Sequence, residues 1–134
     1  MSTPAPQASA FDRLGGDAAV RALVDRFYDL MELEPAYAVL RALHPDTLDG
    51  SRDKLYWFLC GWLGGPNRYV ERFGHPMLRA RHLPYAIGLR ERDLWMDCMR
   101  RAMHECSMDR ALTQRLDEAL AGTADWMRNR ATPD

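Results

Sequence analysis

Two histidines stand where the chain changes direction, and each offers a ring nitrogen to whatever lies beside it. His44 precedes Pro45, and a residue before proline is pushed out of the helical region, so it sits on irregular backbone at a His44-Pro45-Asp46 corner. His82 ends the run Met77 to His82, which can form a helical turn or two after Pro76 and before Pro84. From there one ring nitrogen can reach a metal, while carbonyls at the end of the same turn accept a hydrogen bond from the other and fix the tautomer. Judged by residue type alone, however, His82 reads as an ordinary, partly buried histidine. Tyr28 lies among the apolar residues of its helix, so its hydroxyl needs a partner, and Trp95 is an indole donor only. Without further context both are equally readable as aromatic core. The three cysteines, Cys60, Cys98 and Cys106, form no CxxC pair, are odd in number and sit in apolar helical settings, which predicts buried, reduced thiols. There is no CxxCH motif, Met96, Met99 and Met103 read as packing, and His75 and His104 as structural or exposed.

The elements that position these groups are helices. Among 134 residues Leu and Ala supply 17 each and Met 8, against 4 Val and the single Ile87. Unbranched and γ-branched side chains lose little freedom in helices, whereas β-branched ones favour sheets, so the predicted fold is all-α. The length suits one domain that buries roughly two-thirds of its unfolded surface. A hydrophobic content of 47% excludes a disordered chain, and a net charge of −1 argues against nucleic-acid or membrane-surface partners. Residues 1–10, with Pro4 and Pro6, read as a disordered lead-in without signal-peptide character, and residues 11–134 as a single domain. With no run long enough to span a bilayer, the expected location is cytoplasmic.

Periodicity places a helix from about Asp17, taken as its N-cap, to Leu33 behind the Gly15-Gly16 turn, then a short one from Pro35 to about Leu43. A third, introduced by Asp49-Gly50-Ser51, carries Leu55, Phe58, Leu59 and Trp62 on one face and stops at Gly64-Gly65-Pro66. Leu94 to Cys106 trace an apolar seam on a helix from about Arg90, and Ser107 or Asp109 caps a last helix reaching about Arg130. Between them, residues 67–89 read as irregular apart from the Met77 to His82 turn. A stretch of that length is usually functional or disordered, and Tyr69, Phe73, Tyr85 and Ile87 give this one surface to bury. Arg68, Arg72, Arg79, Arg81, Arg90 and Arg92 against Glu71 and Glu91 suggest an anionic partner, or simply a solvated basic loop.

In this setting the run Phe73-Gly74-His75-Pro76-Met77-Leu78-Arg79-Ala80-Arg81-His82-Leu83-Pro84-Tyr85 resembles the haem-linked region of the group II truncated haemoglobins. Gly15-Gly16 and Gly64-Gly65 resemble the family's glycine pairs, Phe27-Tyr28 its distal aromatic pair and Trp95 its hallmark tryptophan, and the likeness runs from Phe11 to Arg130. It implies a globin-like two-over-two helical sandwich enclosing haem b, with His82 as proximal iron ligand. It further implies Tyr28, His44, Ser51, Leu55 and Trp95 around the bound ligand. Lys54, Tyr69 and Arg81 would meet the haem edge, and Phe58, Leu55, Tyr85 and Ile87 the rest of the cofactor. Ser51 occupies the position where most globins carry a distal histidine, which shifts ligand stabilisation to Tyr28, Trp95 and His44. The implied activity is reversible binding of O2, CO, NO or similar ligands, including oxygen transport. Two other readings are a peroxidase-like or nitric-oxide-oxidising enzyme fed by an external reductase, and a haem-free helical module whose six arginines bind an acidic partner.

Overall fold

A computed structural model gives the fold; it describes residues 9–129, and among them there is no strand. The expected lead-in lies outside the described residues except for its last two, which open the first helix. That helix, α1 (Ala10–Leu14), has Ser9 as its N-cap, the Oγ accepting from the Asp12 amide at 3.1 Å. It is followed by α2 (Gly16–Leu33), a single 3₁₀ turn (Pro35–Tyr37), α3 (Ala38–Ala42) and α4 (Asp49–Trp62). Then come α5 (Arg68–Phe73), α6 (Leu78–His82), α7 (Leu89–Glu105) and α8 (Arg110–Trp126). Among the described residues no helix is long and apolar enough to cross a membrane.

Four long helices make the sandwich. One face of α2, with Val20, Leu23, Val24, Phe27 and Met31, is buried against α7, while α2 also packs on α4, and α7 on α8. Met96, Cys98, Met99, Ala102 and Met103 come from α7 and Leu112, Leu116 and Leu120 from α8, which closes one continuous core. Each fully buried large side chain is worth about 1.5–3 kcal/mol relative to exposure, so these stripes hold the helices in place. The two-over-two all-α architecture expected from the sequence is the one observed. The cysteines are free, with Cys60 and Cys98 buried and Cys106 half-buried. Burial pushes the Cys98 thiol up to about 12, which keeps it protonated and unreactive.

Three local expectations change. Asp17 is not the N-cap of α2; Gly15 is, at φ 123°, a left-handed conformation that favours glycine. The Asp17 carboxylate lies in the first turn instead and pairs with Arg68, one contact being Nη2 to Oδ2 at 3.0 Å, and it accepts from the Tyr56 hydroxyl at 2.9 Å. Secondly, residues 67–89 are not irregular throughout, because α5 occupies Arg68–Phe73. Tyr69 and Phe73 are one turn apart with ring centroids 4.9 Å from each other, and the helix breakers begin only at Gly74. Thirdly, α8 ends at Trp126, not near Arg130. Its N-cap is Asp109, one of the two expected, with a carboxylate oxygen accepting from the Leu112 amide at 3.0 Å.

Glycine is required where α1 meets the end of α4. A Cβ on Gly65 would lie 2.6 Å from the Phe11 ring, so only glycine lets that ring close the core beside Leu63.

Candidate functional site

Between the two layers lies a cavity of about 520 Å³, within the range of cofactor pockets. Its walls follow from helix geometry. Ser51, Leu55 and Phe58 recur at helical spacing along α4 and line one side, with Lys54 at the edge. Tyr28 enters from α2, Trp95 from α7 and His44 from the corner after α3. Tyr69 comes from α5, Arg81 and His82 from α6, and Tyr85 and Ile87 from the segment that follows. All twelve side chains singled out in the sequence therefore line one space. Leu120, Thr123, Ala124 and Met127 join them from the end of α8, and Glu91 and Arg92 from α7. Those were not anticipated, although Leu120 and Met127 are buried apolar residues at that end. His75 and His104 are exposed, and His75 Nδ1 accepts the Met77 amide at 3.2 Å.

His82 and His44 are prepared in the same way for different tasks. Nδ1 of His82 lies 2.6 Å from the Leu78 carbonyl, and Nδ1 of His44 lies 2.9 Å from the Leu40 carbonyl. A carbonyl only accepts, so in both rings Nδ1 carries a proton, which in the neutral ring leaves the lone pair on Nε2. Burial, aided by the nearby Arg41 charge and partly offset by the Leu40 hydrogen bond, lowers the pKa of His44, so its ring is neutral at neutral pH. Its Nε2 is then an acceptor.

The donors are elsewhere. Tyr28 is 5% exposed, its ring edge-on to Phe27 at 4.9 Å and to His44 at 5.9 Å between centroids. The Arg52 guanidinium lies 5.9 Å from the centre of the same ring and is held by Asp25 and Asp29. Burial raises the Tyr28 phenol far above its ordinary pKa despite the Arg52 charge, so it remains a neutral O–H. Trp95 packs on Phe27 at 5.1 Å. Among the described residues neither the Tyr28 hydroxyl nor the Trp95 indole N–H has a hydrogen-bond partner, and both residues line the cavity. Both donors are therefore available to a ligand in the cavity.

A porphyrin iron fits this donor set. Among the described residues no group of three or more His, Cys, Asp or Glu could hold a bare metal ion. A single imidazole with a free Nε2 in a largely apolar cavity suits an iron whose remaining ligands come with the cofactor. Lys54 and Arg81 stand on the rim, the former 6.0 Å from the Phe73 ring centre and the latter 5.7 Å from that of Tyr69. Neither has a carboxylate partner within 4.0 Å among the described residues, and Lys54 is the sole lysine of the sequence. Arg81 donates from Nε to the Pro76 carbonyl at 2.7 Å, and the other arginines of the basic stretch are mostly engaged within the chain as well. Arg68 pairs with Asp17, Arg92 with Asp93 and Asp125, and Arg72 stacks 4.3 Å from the Trp57 ring centre. Arg79 donates to the Trp126 and Arg128 carbonyls. The six-arginine surface for an acidic partner is thus largely spent on the fold.

Comparison with known proteins agrees with this geometry. The model of the bacterial-like globin family matches residues 9–129. A group II 2-on-2 haemoglobin from Agrobacterium tumefaciens superposes with a TM-score of 0.92 at 44% identity, covering 96% of this chain and all of that one. A truncated oxygen-avid haemoglobin from Bacillus subtilis gives a TM-score of 0.84 at 35% identity, covering 91% of this chain and 100% of that one. A curated group 2 truncated haemoglobin, also from Bacillus subtilis, is 38% identical over 114 residues, which are 85% of this chain and 84% of the relative. The chain belongs to the bacterial-like globins and, among them, to the group II truncated haemoglobins. Haem is accordingly its cofactor, and haem-based binding of small diatomic ligands its general function.

Proposed function

We propose that this chain binds O2 and related diatomic ligands reversibly, with His82 as the axial ligand and Tyr28 and Trp95 as the hydrogen-bond donors opposite it. When bound, haem supplies an iron with one position for a histidine and one for a small ligand. The observation that carries the reading is the 2.6 Å contact from His82 Nδ1 to the Leu78 carbonyl, which in the neutral ring puts the lone pair on Nε2, beside a cavity lined also by two donors without partners. That carbonyl also fixes the orientation of the ring. On the other side, Tyr28 and Trp95 donate where negative charge gathers on a bound ligand, whereas neutral His44 accepts and can orient the Tyr28 hydroxyl. Ser51 adds a small hydroxyl and leaves room above the metal, while Leu55 and Phe58 keep that space apolar. Lys54 and Arg81 suit the two carboxylates of the cofactor, with Tyr69 as a further donor, and Tyr85 and Ile87 pack against its other side. The oxygen avidity named for the Bacillus subtilis structure supports O2 as the ligand here. Three free thiols suit a reducing compartment such as the cytoplasm.

Absorption spectra of the ferrous protein with and without O2 and CO test the reading. The expected result is a Soret band that shifts with each gas. Replacing His82 with glycine should abolish the five-coordinate ferrous spectrum, and added imidazole should restore it. A variant spectrum identical to that of the unaltered protein would remove His82 from the metal.

A further inference from the structure

The helix that carries His82 cannot hold itself in place. α6 has five residues and buries none of them, and so short a helix has no independent stability in water. The position of His82 is therefore set by whatever α6 and residues 83–88 are tied to. Among the described residues, the hydrogen bonds that connect residues 78–88 to any part of the chain beyond 73–92 all run to residues 126–129.

Asn129 makes four of them. Its backbone amide donates to the Ile87 carbonyl at 2.8 Å, and its Oδ1 accepts from the Ile87 amide at 3.0 Å. Its Nδ2 donates to the Tyr85 carbonyl at 2.8 Å and to the carbonyl of His82 itself at 3.2 Å. Arg79 adds two in the opposite sense, from Nη1 to the Trp126 carbonyl at 2.8 Å and the Arg128 carbonyl at 2.9 Å, with its guanidinium 5.5 Å from the Trp126 ring centre. α6 thereby caps the exposed carbonyls at the end of α8, and the residues after α8 satisfy the carbonyls at the end of α6. Asn129 suits this place because a carboxamide presents one acceptor and two donors at once.

We propose that Asn129, with Arg79, forms a clasp through which the end of α8 fixes the proximal histidine, making Asn129 a positioning residue for haem and ligand binding. The proposal rests on His82 being the axial ligand. Opening the clasp frees the His82 and Tyr85 carbonyls and the segment bearing Tyr85 and Ile87, so the imidazole is held less firmly.

The test compares the purified protein with Asn129→Ala, Asn129→Asp and Leu116→Ala, the last destabilising α8 away from the cavity. Three quantities are read: hydrogen exchange at the Ile87 amide, transfer of haem to a scavenging apoglobin, and the iron–histidine stretching frequency of the ferrous protein. Asn129→Ala should speed both exchange and haem loss about tenfold and shift the stretching frequency. Asn129→Asp keeps the acceptor for Ile87 but sets a carboxylate against two carbonyls, so it should retain protection at Ile87 yet lose haem as fast as the alanine variant. Leu116→Ala should leave the frequency at its original value. The proposal is overturned if Asn129→Ala shows unaltered haem loss and frequency, or if Leu116→Ala shifts the frequency equally. If the unaltered protein lacks the iron–histidine band, the assignment of His82 fails and takes the positioning role with it, while Ile87 exchange still reports whether the clasp exists.

Discussion

A phenol, an indole and an imidazole share the wall of one cavity, and their protonation states give them different work. Tyr28 is kept neutral by burial and offers a proton, Trp95 can only donate, and His44 offers a lone pair because the Leu40 carbonyl holds its proton. A donor bond to a partly charged ligand in a dry site is worth about 1–3 kcal/mol. Tyr28→Phe and Trp95→Phe should therefore each speed O2 dissociation by about tenfold to a hundredfold, read by stopped-flow. Unchanged rates in both variants would take the donors out of the account. In the sequence, the roles proposed for these residues rest on a neighbourhood and not on single positions. His82 by itself reads as a common core histidine, and Trp95 as one more member of the α7 seam; the thirteen-residue run ending at Tyr85 changes both readings. The division between donor and acceptor was not legible, because it depends on a carbonyl at 2.9 Å from one ring nitrogen of His44.

The order of the helices was readable from apolar spacing and from the glycine and proline breaks, and the exceptions are elements held by partners far away in sequence. α5 shows how this happens. Its six residues are too few for periodicity to register, and what stabilises them is Arg68 reaching back to Asp17 at the start of α2 while Tyr69 packs edge-on against Phe58 of α4. Asp17 reads as a cap in the sequence for the same reason, since its partners, Arg68 and Tyr56, lie some forty to fifty residues on. The Arg68 and Tyr56 hydrogen bonds hold the Asp17 carboxyl down at about 2. A carboxyl with a depressed pKa contributes stability above the ordinary carboxylate range and loses it as the pH falls towards its folded value. Between about pH 4 and pH 2.5 the unfolding midpoint of the protein should thus fall more steeply than that of Asp17→Asn, while between pH 5 and pH 7 the difference between them stays constant. Parallel midpoints across the acid range would show that the pair does not couple α2 to α5.

At the scale of the molecule, a large cavity stands where other small domains have core. Its lining is drawn from seven of the eight helices, so the walls lack contacts across the space between them. A ligand that binds only the folded state adds about 4 kcal/mol at a thousandfold excess over its Kd, and for a domain of this size haem should raise Tm by more than about 10 °C in calorimetry. A rise of a degree or two would mean that the two layers support each other without it. The rim of that cavity also has a practical side. Lys54 is the lone lysine and is exposed, whereas Cys60 and Cys98 are buried. Reagents that seek side-chain amines have a single target, and it sits at the cavity mouth. Coupling to a bead through Lys54 would press the opening against the support and throttle gas entry, whereas attachment through the half-buried Cys106 would leave the mouth facing solution.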